Sequence, residues 1–171
     1  MIQTKTAILD RTSTKVMIFA FFLALSVAAP LIKIQLITGP LVNATLFLAV
    51  IYLGAREAML IGLIPSLISL SVGLLSPVLA PMIPFIMLSN VLLVFVFDIV
   101  RNRSEPAGFV IAAIIKFAFL YFMASVVIRL IPNPIFAQKA VLTMGSIQLI
   151  TALIGAVIAM TVQKSRLFFS K

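Results

Sequence analysis

Of the 171 residues, 63% are hydrophobic and 10% charged, with a mean hydropathy of +1.29, which excludes a water-soluble globule and leaves one integral membrane domain. A net charge of +9 would point to nucleic acid in a soluble protein; in a membrane chain the basic residues are topology signals, and no nucleic-acid partner is expected. Cysteine and histidine are absent, which removes disulfides, the usual zinc, copper and haem ligands, and the commonest general base, so neither a cofactor nor a metal is expected.

The first fifteen residues, MIQTKTAILDRTSTK, are polar and lack a small-residue cleavage site after an apolar core, so no removable signal is expected. Six apolar segments follow: Val16–Ile32, Thr38–Leu53, Ala58–Leu75, Met82–Val100, Ala107–Ile128 and Ala140–Val162. A membrane-crossing helix needs roughly 20 residues. The sequence therefore predicts an all-α integral membrane protein with six transmembrane helices. Residues 1–171 form a single transmembrane domain: a cytoplasmic segment at 1–15, the bundle at 16–162 and a cytoplasmic tail at 163–171. Five spans remain open, because only LLSPVLAPMIP separates the third from the fourth.

Charge sets the orientation. With both termini cytoplasmic, the inner side holds Lys5, Arg11, Lys15, Arg56, Arg101, Arg103, Lys164, Arg166 and Lys171, against Lys33, Arg129 and Lys139 outside. All four acidic residues, Asp10, Glu57, Asp98 and Glu105, then lie at the inner edge, which argues against a proton-coupled carrier with a carboxylate at depth. The outer connections hold Pro40, Pro77, Pro81, Pro84, Pro132 and Pro134, which restrict the backbone and oppose helix continuation. Ordered outer loops over plain inner turns suggest a face that receives a ligand.

One charge breaks the apolar pattern. Lys116 lies about halfway along the fifth span, where a cation costs ~2.5–3.5 kcal/mol on insertion scales and marks a functional site by default. Two readings stand: a long stem snorkelling to the cytoplasmic edge or pairing with Asp98, or an ammonium at the floor of an outward-opening pocket. Counting inward at ~1.5 Å per residue, Asn90, Tyr121 and Gln148 sit about two turns from the outer ends of their spans, with Ser26, Asn43 and Ser69 near that level. Serines commonly bond their own helix; Asn90 and Gln148 either face a cavity or tie helices together, and Tyr121 is pocket or core. Tyr121 is offset from Lys116 by roughly 140° around the helix. Arg129, with Lys33 and Lys139, is a candidate positive rim.

Two stripes of small residues recur every fourth position: Ala20, Ala24 and Ala28 in the first span, and Gly155 with Ala159 in the last. Each lets another helix approach closely, by default within the subunit. No phosphate-binding loop, carboxylate pair or serine triad is assembled, so an enzyme is not expected.

The stretch ITGPLVNATLFLAVIYLGAREAMLIGLIPSLISL, with a Gly-Pro start to the second span, a Leu-Gly-x-Arg turn and a glycine-bearing third helix, resembles the substrate-binding S component of energy-coupling factor transporters. The likeness runs from about Val16 to Val162. It implies capture of a vitamin or other micronutrient near the outer face of the cell membrane. It also implies partnership with a transmembrane coupling subunit and two cytoplasmic ATPases, with Ala20, Ala24 and Ala28 as the contact to the coupling subunit. The missing N-terminal histidine departs from the cobalt and nickel types, and the missing tryptophan from a thiamine type. Charge alone then favours an anionic solute, bound by Asn43, Asn90, Lys116, Tyr121, Arg129 and Gln148. The rival expectations are an accessory or assembly membrane protein without a ligand, and a small stand-alone carrier or channel.

Overall fold

The computed structural model describes residues 2–75, 77–127, 129 and 144–169. Among them are six long α-helices: α1 (Ile2–Ala28), α2 (Gln35–Tyr52), α3 (Ala55–Ser71), α4 (Ile83–Arg101), α5 (Glu105–Val127) and α6 (Ser146–Phe169). Short 3-10 turns at Ala29–Ile32 and Pro77–Met82 lead into α2 and α4. Helices persist because long apolar runs must satisfy their backbone groups internally where water is absent. They stop where the backbone turns left-handed: Lys33 has φ 59° before α2, Gly54 φ 103° between α2 and α3, and Gly73 φ 76° after α3.

Five segments are long and apolar enough to cross a membrane: Thr12–Ile32, Gln35–Tyr52, Ala80–Arg101, Glu105–Val127 and Ser146–Ser165. The sixth helix, α3, has 17 residues and reaches about 25 Å, packing against α1, α2 and α4 to complete the bundle. The protein is thus an all-α, multi-pass membrane protein. One expectation needs correction. Pro40 is no loop residue: it lies inside α2, where it removes only the backbone bond to the Leu36 carbonyl. Helix α1 runs unbroken from Ile2, and its apolar span begins at Thr12. The expected start of the last span at Ala140, with Pro132, Pro134 and Lys139, lies outside the described residues.

The shortest predicted span proves the most central. Helix α2 touches α1, α3, α4 and α6, and every residue from Val42 to Val50 is buried. Helices α4 and α5 pair as a hairpin, while α6 lies along α2. That second contact is possible because of glycine. A Cβ on Gly155 would fall 2.7 Å from Asn43 Cβ and 2.9 Å from both the Ala44 amide nitrogen and the Pro40 carbonyl oxygen. The stripe of Gly155 and Ala159 therefore packs within the subunit, as its default reading held.

Two apolar clusters fill the interior. The larger lies toward the chain termini around Phe47, Phe97 and Phe109, whose ring centroids are 4.9, 4.8 and 4.5 Å apart pairwise. The smaller lies at the opposite end and includes Leu75, Met82, Leu120 and Met144. Along α5 the first cluster ends at Ala113 and the second begins at Leu120. Lys116 sits in the polar layer between them.

Candidate functional site: a buried lysine beneath a polar cavity

Lys116 is 3% exposed, and its Nζ donates to Asn43 Oδ1 at 2.6 Å and to Asn90 Oδ1 at 2.7 Å. Asn90 Nδ2 in turn donates to the Gly62 carbonyl at 2.8 Å. One connected network thereby joins α2, α3, α4 and α5. An ammonium has donors only, so it fixes both amides with their oxygens inward. Gly62 admits this: a Cβ there would stand 3.2 Å from Asn90 Cβ.

The geometry decides between the two readings of Lys116. The side chain does not snorkel, and it does not pair with Asp98, whose Oδ1 instead meets Arg101 Nη2 at 2.8 Å. Its partners are neutral carbonyls, and no carboxylate forms an ion pair with it among the described residues. A cavity of about 60 Å³ adjoins the ammonium, lined by Thr38, Asn43, Ser66, Asn90, Lys116 and Gln148 among others. Other lining residues, Gln35, Leu75, Ile86 and Met144, place it in the half of the bundle away from the termini.

Four of the six expected ligand residues meet here: Asn43, Asn90, Lys116 and Gln148. Tyr121 and Arg129 do not. Tyr121 is 49% exposed on the outer surface of α5, its ring 5.9 Å from that of Phe117, because five residues of helix turn it away from Lys116. Arg129 is exposed and does not line the cavity, and neither does Lys33. Ser69 bonds the Pro65 carbonyl of its own helix at 2.7 Å, as expected of a serine in a span. Ser26 is buried elsewhere, with its hydroxyl unpartnered among the described residues.

Gln35, Thr38, Gly62 and Ser66 are additions that the polar-level count does not reach. A signal for two of them was present, since Ala58, Gly62 and Ser66 recur every fourth residue on α3. All three are buried, with Gly62 and Ser66 at the polar layer. The equivalent stripe on α1 behaves oppositely: Ala20, Ala24 and Ala28 are all exposed, uncovered by the subunit's own helices. Packing within the subunit does not account for them.

Chemically the site is a cation with neutral polar neighbours, suited to holding an anion and not to proton relay through a carboxylate. Among the described residues no group of three acidic, histidine or cysteine side chains forms a metal cage. Substituting Asn90 by alanine removes the bonds to both Lys116 and Gly62, and is expected to destabilise the bundle by about 1–3 kcal/mol, read as a lower unfolding midpoint in detergent. An unchanged midpoint would mean that the network does not hold α3, α4 and α5 together.

The class defined here is an all-α, multi-pass membrane protein with a buried lysine at a polar cavity. Comparison with protein-family models, curated proteins and solved structures found no match.

Proposed function

We propose that the protein is the substrate-capture subunit of an ATP-driven micronutrient uptake transporter, similar to an energy-coupling factor S component. It binds a small anionic solute in the cavity beside Lys116 and passes it on through a transmembrane coupling subunit driven by two cytoplasmic ATPases. Both termini are cytoplasmic on the basic-residue count, so the cavity lies in the outer half of the cell membrane. The observation that carries this reading is a buried ammonium with no carboxylate partner among the described residues, beside a cavity that polar side chains help to line. Such a charge is costly unless something completes it.

The exposed alanine stripe supports the coupling part of the reading. Ala20, Ala24 and Ala28 offer a bulk-free surface to which another helix can approach closely. Ala24→Leu is expected to abolish copurification of the coupling subunit and ATPases while leaving the unfolding midpoint of the isolated subunit unchanged. Retained copurification would remove α1 as the contact.

One observation favours a rival, an accessory protein in which the polar layer is only glue: the lysine ties α2, α4 and α5 together by itself. In that case Lys116→Met lowers stability and changes no small-molecule binding. In the capture reading it changes binding first.

A further inference from the structure

We infer that Lys116 holds a compact monovalent anion, of chloride size, in the cavity beside it, and that any larger solute must displace this ion. The inference starts from donor bookkeeping. The ammonium has three N–H donors and gives two to Asn43 and Asn90, leaving one. Asn43 has its oxygen turned to the lysine, which leaves its Nδ2 as the donor end of that amide. Ser66 is 3% exposed, lines the cavity, and its hydroxyl also has no partner among the described residues. Gln148 lines the same space. The two asparagine oxygens that could have received a cation or an amine are taken by the lysine. What remains beside the positive charge is its third N–H, the Asn43 amide nitrogen and the Ser66 hydroxyl, each able to donate to an anion.

Charge and size narrow the occupant. Of the acidic residues, Glu57 and Glu105 lie in the first turns of α3 and α5, and Asp98 near the end of α4 is paired with Arg101. All three belong to the end of the bundle nearer the termini, so none neutralises Lys116. A buried charge without a counter-ion carries a desolvation penalty, which one monovalent anion relieves and a dianion would replace with a net negative charge. The cavity of about 60 Å³ has room for a few waters, at ~10–15 Å³ of such space per water, well below the ~300–1,000 Å³ of a typical ligand pocket. Chloride with one water, or a single carboxylate head, fits that space. Solute capture at this site is then an exchange of anions, in which a carboxylate replaces the small ion on the same donors.

The test uses the purified full chain in detergent, with sodium chloride compared against sodium gluconate, whose anion is too large for the cavity, at equal ionic strength. Wild type is expected to show a saturable rise of a few degrees in unfolding midpoint with chloride. Two variants should lose it: Lys116→Met, which removes the charge, and Asn43→Asp, which supplies a built-in counter-charge and keeps an oxygen for the Lys116 ammonium. If Lys116→Met fails to fold, Asn43→Asp carries the test alone. Crystals soaked in bromide should show an anomalous peak within hydrogen-bond reach of the Lys116 Nζ. The same midpoint in both salts for wild type, or a chloride shift that survives in Asn43→Asp, overturns the inference. No partner subunit enters the measurement, so its failure is separate from failure of the transport reading, which copurification decides.

Discussion

Replacing Lys116 by methionine will abolish solute capture and leave the bundle folded. Methionine keeps an unbranched apolar stem one atom shorter but removes the only charge among the described cavity-lining residues. Losing one buried, hydrogen-bonded charge contact costs about 2–5 kcal/mol of binding, or roughly 30-fold to several thousand-fold in affinity. Stability responds less, because two opposing effects meet. The oxygens of Asn43 and Asn90 lose their shared donor, at about 1–3 kcal/mol each if left dry. The penalty for an ion between two apolar clusters disappears at the same time. Equilibrium binding of a panel of radiolabelled water-soluble carboxylic acids to wild type and variant reads the first effect, and thermal unfolding the second. A variant that binds as wild type does would remove the lysine from the site.

The second large effect is expected at a position with no polar chemistry. Gly155→Ala puts a methyl 2.7 Å from Asn43 Cβ and 2.9 Å from two backbone atoms of α2. Backbone cannot rotate aside, so α6 must move off α2, at about 2–3 kcal/mol by the usual cost of overpacking. Because Asn43 holds Lys116, the same displacement loosens the anion site, and solute affinity should fall about tenfold. Gly62→Ala is the milder comparison: its nearest neighbours, Asn90 Cβ at 3.2 Å and Leu46 Cδ2 at 3.3 Å, belong to side chains. Unfolding midpoints in detergent should rank wild type, then Gly62→Ala, then Gly155→Ala. Equal midpoints for Gly155→Ala and wild type would show that α6 does not depend on this close approach.

Much of the fold was legible because a bilayer allows few solutions. Apolar runs near 20 residues must be helices, and five of the predicted spans reappear with boundaries shifted by a few residues. The centrality of α2 was not legible, since burial among neighbours and burial in lipid favour the same apolar residues. The site was half legible. Depth along each helix brought Asn43, Asn90 and Gln148 to one level, because ~1.5 Å per residue is a firm ruler, while Lys116 was marked by its charge alone. Depth says nothing about which way a side chain faces, which is why Tyr121 met the same criterion and lies outside. Small residues show the same limit: Ala58, Gly62 and Ser66 face inward while Ala20, Ala24 and Ala28 face outward, and spacing alone does not tell them apart.

The capture reading turns on whether an anionic solute depends on Lys116. Mild purification of wild type and Lys116→Met in parallel, followed by mass spectrometry of the small molecules each retains, addresses this directly. The expected result is an anionic metabolite near one equivalent on wild type and absent from the variant. A molecule retained equally by both, or none enriched on either, would contradict capture at this lysine and leave the polar layer as a tie between helices.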